Sequence, residues 1–379
     1  MRIEQVSWNN ASGWVPQLPG KLGESAQVVF LFADTPILKQ QGWRSVIREA
    51  YPNAHLLGCS TAGTIRDTQV LDDALVATAV AFERSEVRGV QVPISHMDKS
   101  FEAGEQLAKA LPHEGLVHVF VLSDGLHVNG SELVKGLSAQ LPPGVSITGG
   151  LSGDGARFEE TTVLWDQEPQ QRSIAALGLY GGQLKVGYGS LGGWDPFGPE
   201  RLITRSQGSV LYELDGQPAL ALYKRYLGEH ASGLPATGLL FPLSLRTRDG
   251  ADGIVRTILS VDEGEQSLTF AGDMPVGAHA RLMKANFDRL IDGAVGAART
   301  SYEAVGSTTP DLGILISCVG RKLILKQRIE EEVEGVREAL GDGTVLTGFY
   351  SYGEISPFTP NAKCELHNQT MTITTLSER

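Results

Sequence analysis

An apolar strand, an amphipathic helix, a second strand and a glycine-bearing loop follow one another three times along this chain, and that repetition limits its possible folds more than any other feature. The first copy opens with VVFLF at residues 28–32. Thr35-Pro36 then offers a helix N-cap with proline at the first helical position. Trp43, Val46, Ile47 and Ala50 fall on one helical face, and a strand at 55–57 runs into Gly58-Cys59-Ser60-Thr61-Ala62-Gly63. The second copy starts at His118 with VFVL, takes Ser131 as its N-cap and places Leu133, Val134, Leu137 and Leu141 on the helix face. Its second strand, 145–148, leads into Gly150-Leu151-Ser152-Gly153-Asp154-Gly155. The third has GILIS from Gly313, a helix with Ile329, Val333, Val336 and Leu340 ending at Gly341, and a strand at 344–347 before Gly348-Phe349-Tyr350-Ser351-Tyr352-Gly353. On this reading paired glycines stand five residues apart in every copy: Gly58 and Gly63, Gly150 and Gly155, Gly348 and Gly353.

Alternating apolar residues suggest two antiparallel hairpins between the copies, 75–82 with 87–92 and 174–180 with 184–188, the latter turning at Gly181-Gly182. A single segment, 371–376, follows the third loop. Hairpins do not belong in a purely parallel sheet, so the expected class is α/β with mixed sheets layered with helices. Between the second and third copies lie a helix near 218–227, a hairpin of 254–259 with 268–270, and a helix around 280–294. The expected organisation is an N-terminal arm (1–24) with little periodicity, then two domains, 25–225 and 226–379. The run of small residues at 228–238 marks the softest point.

Composition removes several classes of function. A formal charge of −12 without a Lys/Arg run opposes nucleic-acid binding. No span approaches the length of a transmembrane helix, and residues 1–20 lack the pattern of a signal peptide, so the expectation is a cytoplasmic protein. Cys59, Cys318 and Cys364 are odd in number and widely spaced, which fits neither a disulfide framework nor a zinc site.

Motifs for common chemistries fail on particular residues. Gly58 and Gly63 are followed by Thr64 with no P-loop lysine, and Gly63 leads into Ile65-Arg66-Asp67 rather than a Rossmann helix. Ser60 and Ser152 lack the second glycine of a nucleophile elbow, since Ala62 and Asp154 occupy that place. Cys59 would need a histidine partner that sequence cannot place, and a small residue in a tight turn explains it as well. Catalysis is therefore not expected. Two other stretches are unusual. Gly192-Gly193-Trp194-Asp195-Pro196-Phe197-Gly198 sets two large rings between glycines and prolines, either plugging a sheet end or bordering a ligand. Cys364-Glu365-Leu366-His367-Asn368-Gln369-Thr370 packs thiol, carboxylate, imidazole and two amides beside the closing strand, as a ligand site or a structural turn.

Taken together, VVFLF with Gly58–Gly63, Leu122-Ser123-Asp124-Gly125, Gly149–Gly155, the 348–355 segment and Leu366-His367-Asn368-Gln369-Thr370 make the chain resemble the FIST family, a bacterial sensory module of FIST N and FIST C domains. The resemblance implies a small-ligand sensor with candidate ligand contacts at Cys59, Ser60, Thr61, Asp124, Ser152, Asp154, Trp194, Tyr350, Tyr352, Glu354, His367 and Asn368. With no fused kinase, GGDEF or receptor segment in view, the chain is similar to the stand-alone nitric-oxide-sensing group, which binds haem b through a histidine and regulates a separately encoded histidine kinase. The stretches 193–201 and 214–220 carry that likeness. The absence of CxxCH implies non-covalent haem. The iron ligand is expected at His367, with His230 and His127 as alternatives; a homodimer is a further possibility. A sensor of an amino acid or similar metabolite is the rival within the class, and a Cys59- or Ser60-dependent hydrolase or transferase the rival outside it.

Overall fold

In the computed structural model, residues 1–246, 252–358 and 362–378 are described. The three sequence copies become three six-stranded mixed sheets with a shared ground plan. Each is built on a parallel pair: Val28–Ala33 with His55–Ser60, Leu116–Ser123 with Ser146–Leu151, and Leu312–Cys318 with Val345–Ser351. An antiparallel strand lies on the far side of the first member: Leu75–Ala81, Ser173–Tyr180 or Met371–Glu378.

Alternation along the first strands explains their unbroken apolarity. Val28, Phe30 and Phe32 point to a core shared by all three sheets, where Phe120, Leu122, Ile314, Ile316 and Phe349 meet them. Phe30 and Phe120 pack edge to face at 5.7 Å. Val29, Leu31 and Ala33 point the other way, under the helix Gly42–Ala50 that contributes Trp43 and Ile47. A strand buried on both faces reads as a continuous hydrophobic run.

The sheets also exchange strands in a ring. The strand after each glycine loop leaves its own sheet and pairs with the next: Thr64–Arg66 joins Val345–Ser351, Gly353–Pro357 joins Ser146–Leu151, and Val163–Trp165 joins His55–Ser60. The two expected hairpins are instead crossings of this kind. Leu75–Ala81 stays in the first sheet while Glu86–Pro93 edges the second. Likewise Ser173–Tyr180 stays in the second and Leu184–Leu191 edges the third. Short connections and alternating apolarity look the same in both cases, because sequence spacing says nothing about which sheet receives the returning strand.

The supposed N-terminal arm supplies the matching edge of the first sheet. Arg2–Asn9 pairs along Leu75–Ala81, where the other sheets carry Glu86–Pro93 and Leu184–Leu191. The Met1 amino group lies 3.6 Å from the carboxylate of Glu378, so the ring closes spatially at the chain ends. A circular permutant joining these ends by about five residues and opened at the exposed Gly182 is therefore expected to fold. Its near-UV circular dichroism should match that of the parent, whereas opening inside Ser146–Leu151 should give no folded protein.

Other sequence readings shift locally. The helix placed at 280–294 is a strand, His279–Lys284, followed by a helix, Phe287–Ala304. The second copy's helix is capped by Asn129, whose side chain accepts from the Glu132 amide, rather than by Ser131. Thr35 begins a separate short helix, Thr35–Leu38, preceded by Asp34.

A second body occupies residues 195–284, between the edge strand Leu184–Leu191 and the helix Phe287–Ala304. Its strands form one eight-stranded sheet around Ile203, Leu211, Leu268, Phe270 and the helix Ala219–Leu227. Asp252–Arg256 and Ile258–Asp262 stand at opposite ends of the strand order yet are separated by Thr257 alone, so the sheet curls back on itself. The expected boundary at 225 falls within its helix, and the 228–238 stretch holds short 3-10 turns, Gly228–Gly233 and Ala236–Leu240. None of the described helices is long and apolar enough to cross a membrane.

Candidate functional site

The three glycine loops meet one another. The amide of Ala62 donates to Tyr350 O at 2.8 Å, that of Tyr352 to Leu151 O at 3.2 Å, and that of Gly153 to Ser60 O at 3.0 Å. Each bond runs from the fourth residue after a strand glycine to the second residue after the glycine of another copy. This ring fixes the structural register as Gly58, Gly149 and Gly348. The sequence spacing points to Gly150 in that role; the structure pairs Gly149 with Val121 just as it pairs Gly58 with Leu31 and Gly348 with Leu315.

Two polar centres flank the ring. In the first, Asp124 is fully buried and accepts the amides of Leu126 and His127 at 2.8 Å and of Arg172 at 2.7 Å, with the Thr161 hydroxyl at 3.1 Å. Asp154 accepts the amides of Phe158, Glu159 and Glu160, each at 2.9 Å, and the hydroxyl of Tyr352. Burial alone would raise its pKa, but the Tyr352 bond and these amides hold it below the ordinary carboxylate value. Ser60 Oγ accepts from Thr162 N, and Thr61 and Thr64 share a hydroxyl contact at 3.1 Å. These side chains are occupied in holding loops. Ser152 Oγ is buried without a partner among the described residues. Cys59 lies among Phe30, Phe32 and Phe349, where burial pushes its thiol well up, as expected of a structural cysteine.

The second centre sits where the three-sheet body meets the second body. Glu354 is fully buried and accepts from Ser351 Oγ at 2.6 Å, Thr370 Oγ1 at 2.9 Å and Thr370 N at 3.2 Å. Beside it, Arg321 and Glu332 form an ion pair at 2.7 Å with neither side chain exposed, and Glu332 also takes the hydroxyls of Tyr350 and Ser317. Opposite Glu354 in the ladder stands His367, whose Nε2 lies 2.9 Å from Ser356 O. Asn368 Nδ2 reaches Tyr352 O and Gln369 Nε2 reaches Leu239 O of the second body, both at 3.5 Å. Three consecutive buried side chains therefore each keep one polar atom without a partner among the described residues: His367 Nδ1, Asn368 Oδ1 and Gln369 Oε1. An unmatched buried polar atom costs about 1–3 kcal/mol. Gln369 also adopts a left-handed backbone with φ of 63°. Trp194 Nε1 donates to Gln369 O at 2.8 Å, and the indole lines an open groove of about 480 Å³ with Leu191, Gly193, Arg289, Asp292 and Gly293.

Of the predicted site residues, Trp194, Tyr350, Glu354, His367 and Asn368 gather at this second centre, with Tyr352 bridging to the first. Cys59, Ser60, Thr61, Asp124, Ser152 and Asp154 lie at the strand ends or in the first centre. His127 turns its ring onto Asp124, and His230 is exposed, its ring 5.3 Å from Phe241. Arg321, Glu332 and Ser351 are not among the predicted site residues, and Gln369 and Thr370 are covered only as part of the polar 364–370 stretch. Glu332 falls on the same helical stripe as Ile329, Val333 and Val336, a signal that its neighbours Glu330 and Glu331 obscure.

Burial raises the pKa of Glu354 to about 8 and lowers that of His367 to about 4. For Glu354 the folded value lies above the unfolded one, so its contribution is fully present below about pH 4.5 and is lost as pH rises towards 8. For His367 the contribution is present above pH 6.5 and is lost as pH falls towards 4. Between pH 6.5 and 8 Glu354 acts with little contribution from His367. Over that window wild type is expected to lose up to about 2 kcal/mol relative to Glu354→Gln, at ~1.4 kcal/mol per pH unit for one proton. Urea denaturation of both proteins at each pH checks this, and parallel curves would rule it out.

The FIST N domain profile matches residues 27–217 and the FIST C domain profile residues 219–357. An uncharacterized protein of Methanocaldococcus jannaschii is 24% identical over 346 residues, 84% of this chain; the chain spans 65% of that relative's length. An uncharacterized protein of Mycobacterium tuberculosis is 24% identical over 326 residues, covering 83% of this chain and 82% of its own. Among solved structures, a cyanuric acid hydrolase from A. caulinodans aligns over 78% of this chain and 99% of its own at 9% identity with a TM-score of 0.19, a likeness too weak to carry an argument. The chain belongs to the FIST family, whose domains are small-ligand sensory modules of signalling proteins.

Proposed function

We propose that this FIST protein is a non-catalytic signal-input protein whose ligand binds at the Glu354 and His367–Thr370 centre, and that a separately encoded histidine kinase receives the signal. The observation that carries this reading is the row of three buried, unpartnered polar atoms at His367, Asn368 and Gln369. Native proteins satisfy nearly all such atoms, and a ligand supplying the missing partners is the simplest reason to keep three together. Their position supports a sensory role. Gln369 touches both Trp194 and Leu239, so a molecule bound there bears on how the second body sits against the first.

Haem b, read out through nitric oxide, is one form of this proposal. His367 meets part of the requirement: its Nε2 sits on a backbone carbonyl, which leaves Nδ1 bare as a metal-binding nitrogen. The ring, however, is fully buried, with Phe358 at 5.6 Å, and offers no open face to a macrocycle. The residues as arranged suit a small donor-bearing metabolite better than a porphyrin. Titrating the purified protein with haemin, and separately with a metabolite panel by calorimetry, distinguishes the two. If haem binds here, a Soret band forms and is lost in His367→Ala with native circular dichroism. Loss in His230→Ala or His127→Ala instead would move the site. A metabolite whose binding survives both Asn368→Leu and Gln369→Leu would overturn the assignment.

A further inference from the structure

We propose that the ligand of this centre is a small organic cation with several N–H donors, an amine or amidine, whose charged end rests against Glu354 while its remaining donors meet Asn368 Oδ1 and Gln369 Oε1. This rests on the location proposed above and adds the chemistry of the ligand.

Complementarity at the amides is the first argument. Each spends its nitrogen on a backbone carbonyl, Asn368 on Tyr352 O and Gln369 on Leu239 O, so the atom left bare in both is the oxygen. Two bare acceptors call for donors, and a carboxylate or phosphate ligand would meet repulsion from both.

Local charge gives the second. Arg321 is committed to Glu332 through Nε and Nη2, and Lys322 donates to Ala62 O and Asp72. Arg256, near His367, donates to the carbonyls of Leu366 and Asp273, with Glu365 and Asp273 supplying the opposing charge. Among the described residues, Glu354 has neutral donors alone, Ser351 and Thr370, within hydrogen-bond reach. Its three accepted bonds leave one of about four lone-pair positions of a carboxylate open. The groups facing it from adjoining elements are Arg321, already paired, the Cys318 thiol, and His367, whose pKa of about 4 leaves it neutral at pH 7.

Proton balance follows. With a pKa of about 8, Glu354 is mostly protonated at pH 7. When an ammonium or amidinium docks against it, the carboxyl O–H breaks, the proton passes to solvent and an ion pair remains. Nothing is oxidised or reduced.

The test uses 1,4-diaminobutane, acetamidine and glycinamide against butyrate and acetamide, by titration calorimetry at pH 7 in buffers of different ionisation enthalpy. At least one cation is expected to bind with release of nearly one proton per site, while butyrate does not bind. Glu354→Gln, close to isosteric and checked by circular dichroism, should weaken that cation by about 30-fold or more and abolish proton release, as expected on removing one partner of a buried charge pair. Binding by butyrate or acetamide alone, no binding by any probe, or unchanged cation affinity in Glu354→Gln overturns the cation assignment. If a cation binds but neither Asn368→Leu nor Gln369→Leu weakens it, the location itself fails.

Discussion

Replacing Arg321 with leucine should cost the protein about 3–5 kcal/mol, the usual price of leaving a buried partner charge uncompensated. The guanidinium binds Glu332 through Nε and Nη2 at 3.0 and 2.7 Å, and donates to Gly192 O at 2.6 Å and Leu290 O at 2.7 Å. Gly192 lies where the chain enters the second body after Leu184–Leu191, and Leu290 lies in the first turn of the helix Phe287–Ala304 into which the chain leaves it. One side chain thus holds both connections against the helix Ile329–Leu340 that carries Glu332. The melting temperature should fall by roughly 10 °C, on the scaling of a few degrees per kcal/mol for large domains. Arg321→Leu combined with Glu332→Gln should recover more than half of the loss, because it removes the stranded charge. A single variant melting within about 2 °C of wild type would show that Arg321 does not hold the connections.

This ion pair also marks where sequence reading stops. The helical stripe of Ile329, Val333, Val336 and Leu340 was legible, and Glu332 lies on it, but within Glu330-Glu331-Glu332 it looks like one more solvated charge. Its partner lies 11 residues away, across a turn between two helices, a relation that no periodicity encodes. The strand–helix–strand–glycine-loop units were legible because every strand in them is short, apolar and bounded by glycine or a cap. What those units do with their next strand was not. Leu75–Ala81 and Glu86–Pro93 have the pattern of a hairpin, yet they serve different sheets, since a strand's sheet is chosen by long-range packing. The N-terminal strand was missed for a similar reason. Arg2–Asn9 lies next to the sheet edge, with only the short strand Gly13–Val15 beyond it, and Trp8, Trp14 and the interspersed polar residues blur its alternation. At the candidate site, the polar cluster at 364–370 was legible as a dense run of thiol, carboxylate, imidazole and amides. That Glu354 stands opposite this segment depends on the pairing of Gly353–Pro357 with Cys364–His367, and that Gln369 reaches Leu239 depends on how the second body packs against it.

The strand glycines give the largest expected effects of all, and they test the register directly. Gly58, Gly149 and Gly348 hold the same place in their sheets, each beside the carbonyl of the parallel neighbour. A methyl group at any of them would overlap that oxygen, of Leu31, Val121 or Leu315 respectively. The obstacle is backbone inside a parallel ladder, so it moves only if the strands separate. Gly149 and Gly348 also hold φ at 152° and 156°, where a side chain adds strain. Inserting atoms into a packed core costs about 1–3 kcal/mol even where neighbours can yield, and these cannot. Gly149→Ala and Gly348→Ala should therefore each lose more than about 4 kcal/mol, or give no soluble folded protein, with Gly58→Ala close behind. Gly150 provides the contrast. Its closest obstacles are Ile316 Cγ2 at 2.8 Å, on a buried core side chain rather than on the backbone of the parallel neighbour, and Gly353 O at 3.1 Å. Gly150→Ala should cost no more than about 2 kcal/mol. Urea midpoints for the four variants decide the matter: equal losses at 149 and 150 would break the threefold register, while a steep loss at 149 with a shallow one at 150 would establish that the three loops occupy equivalent positions around one ring of hydrogen bonds.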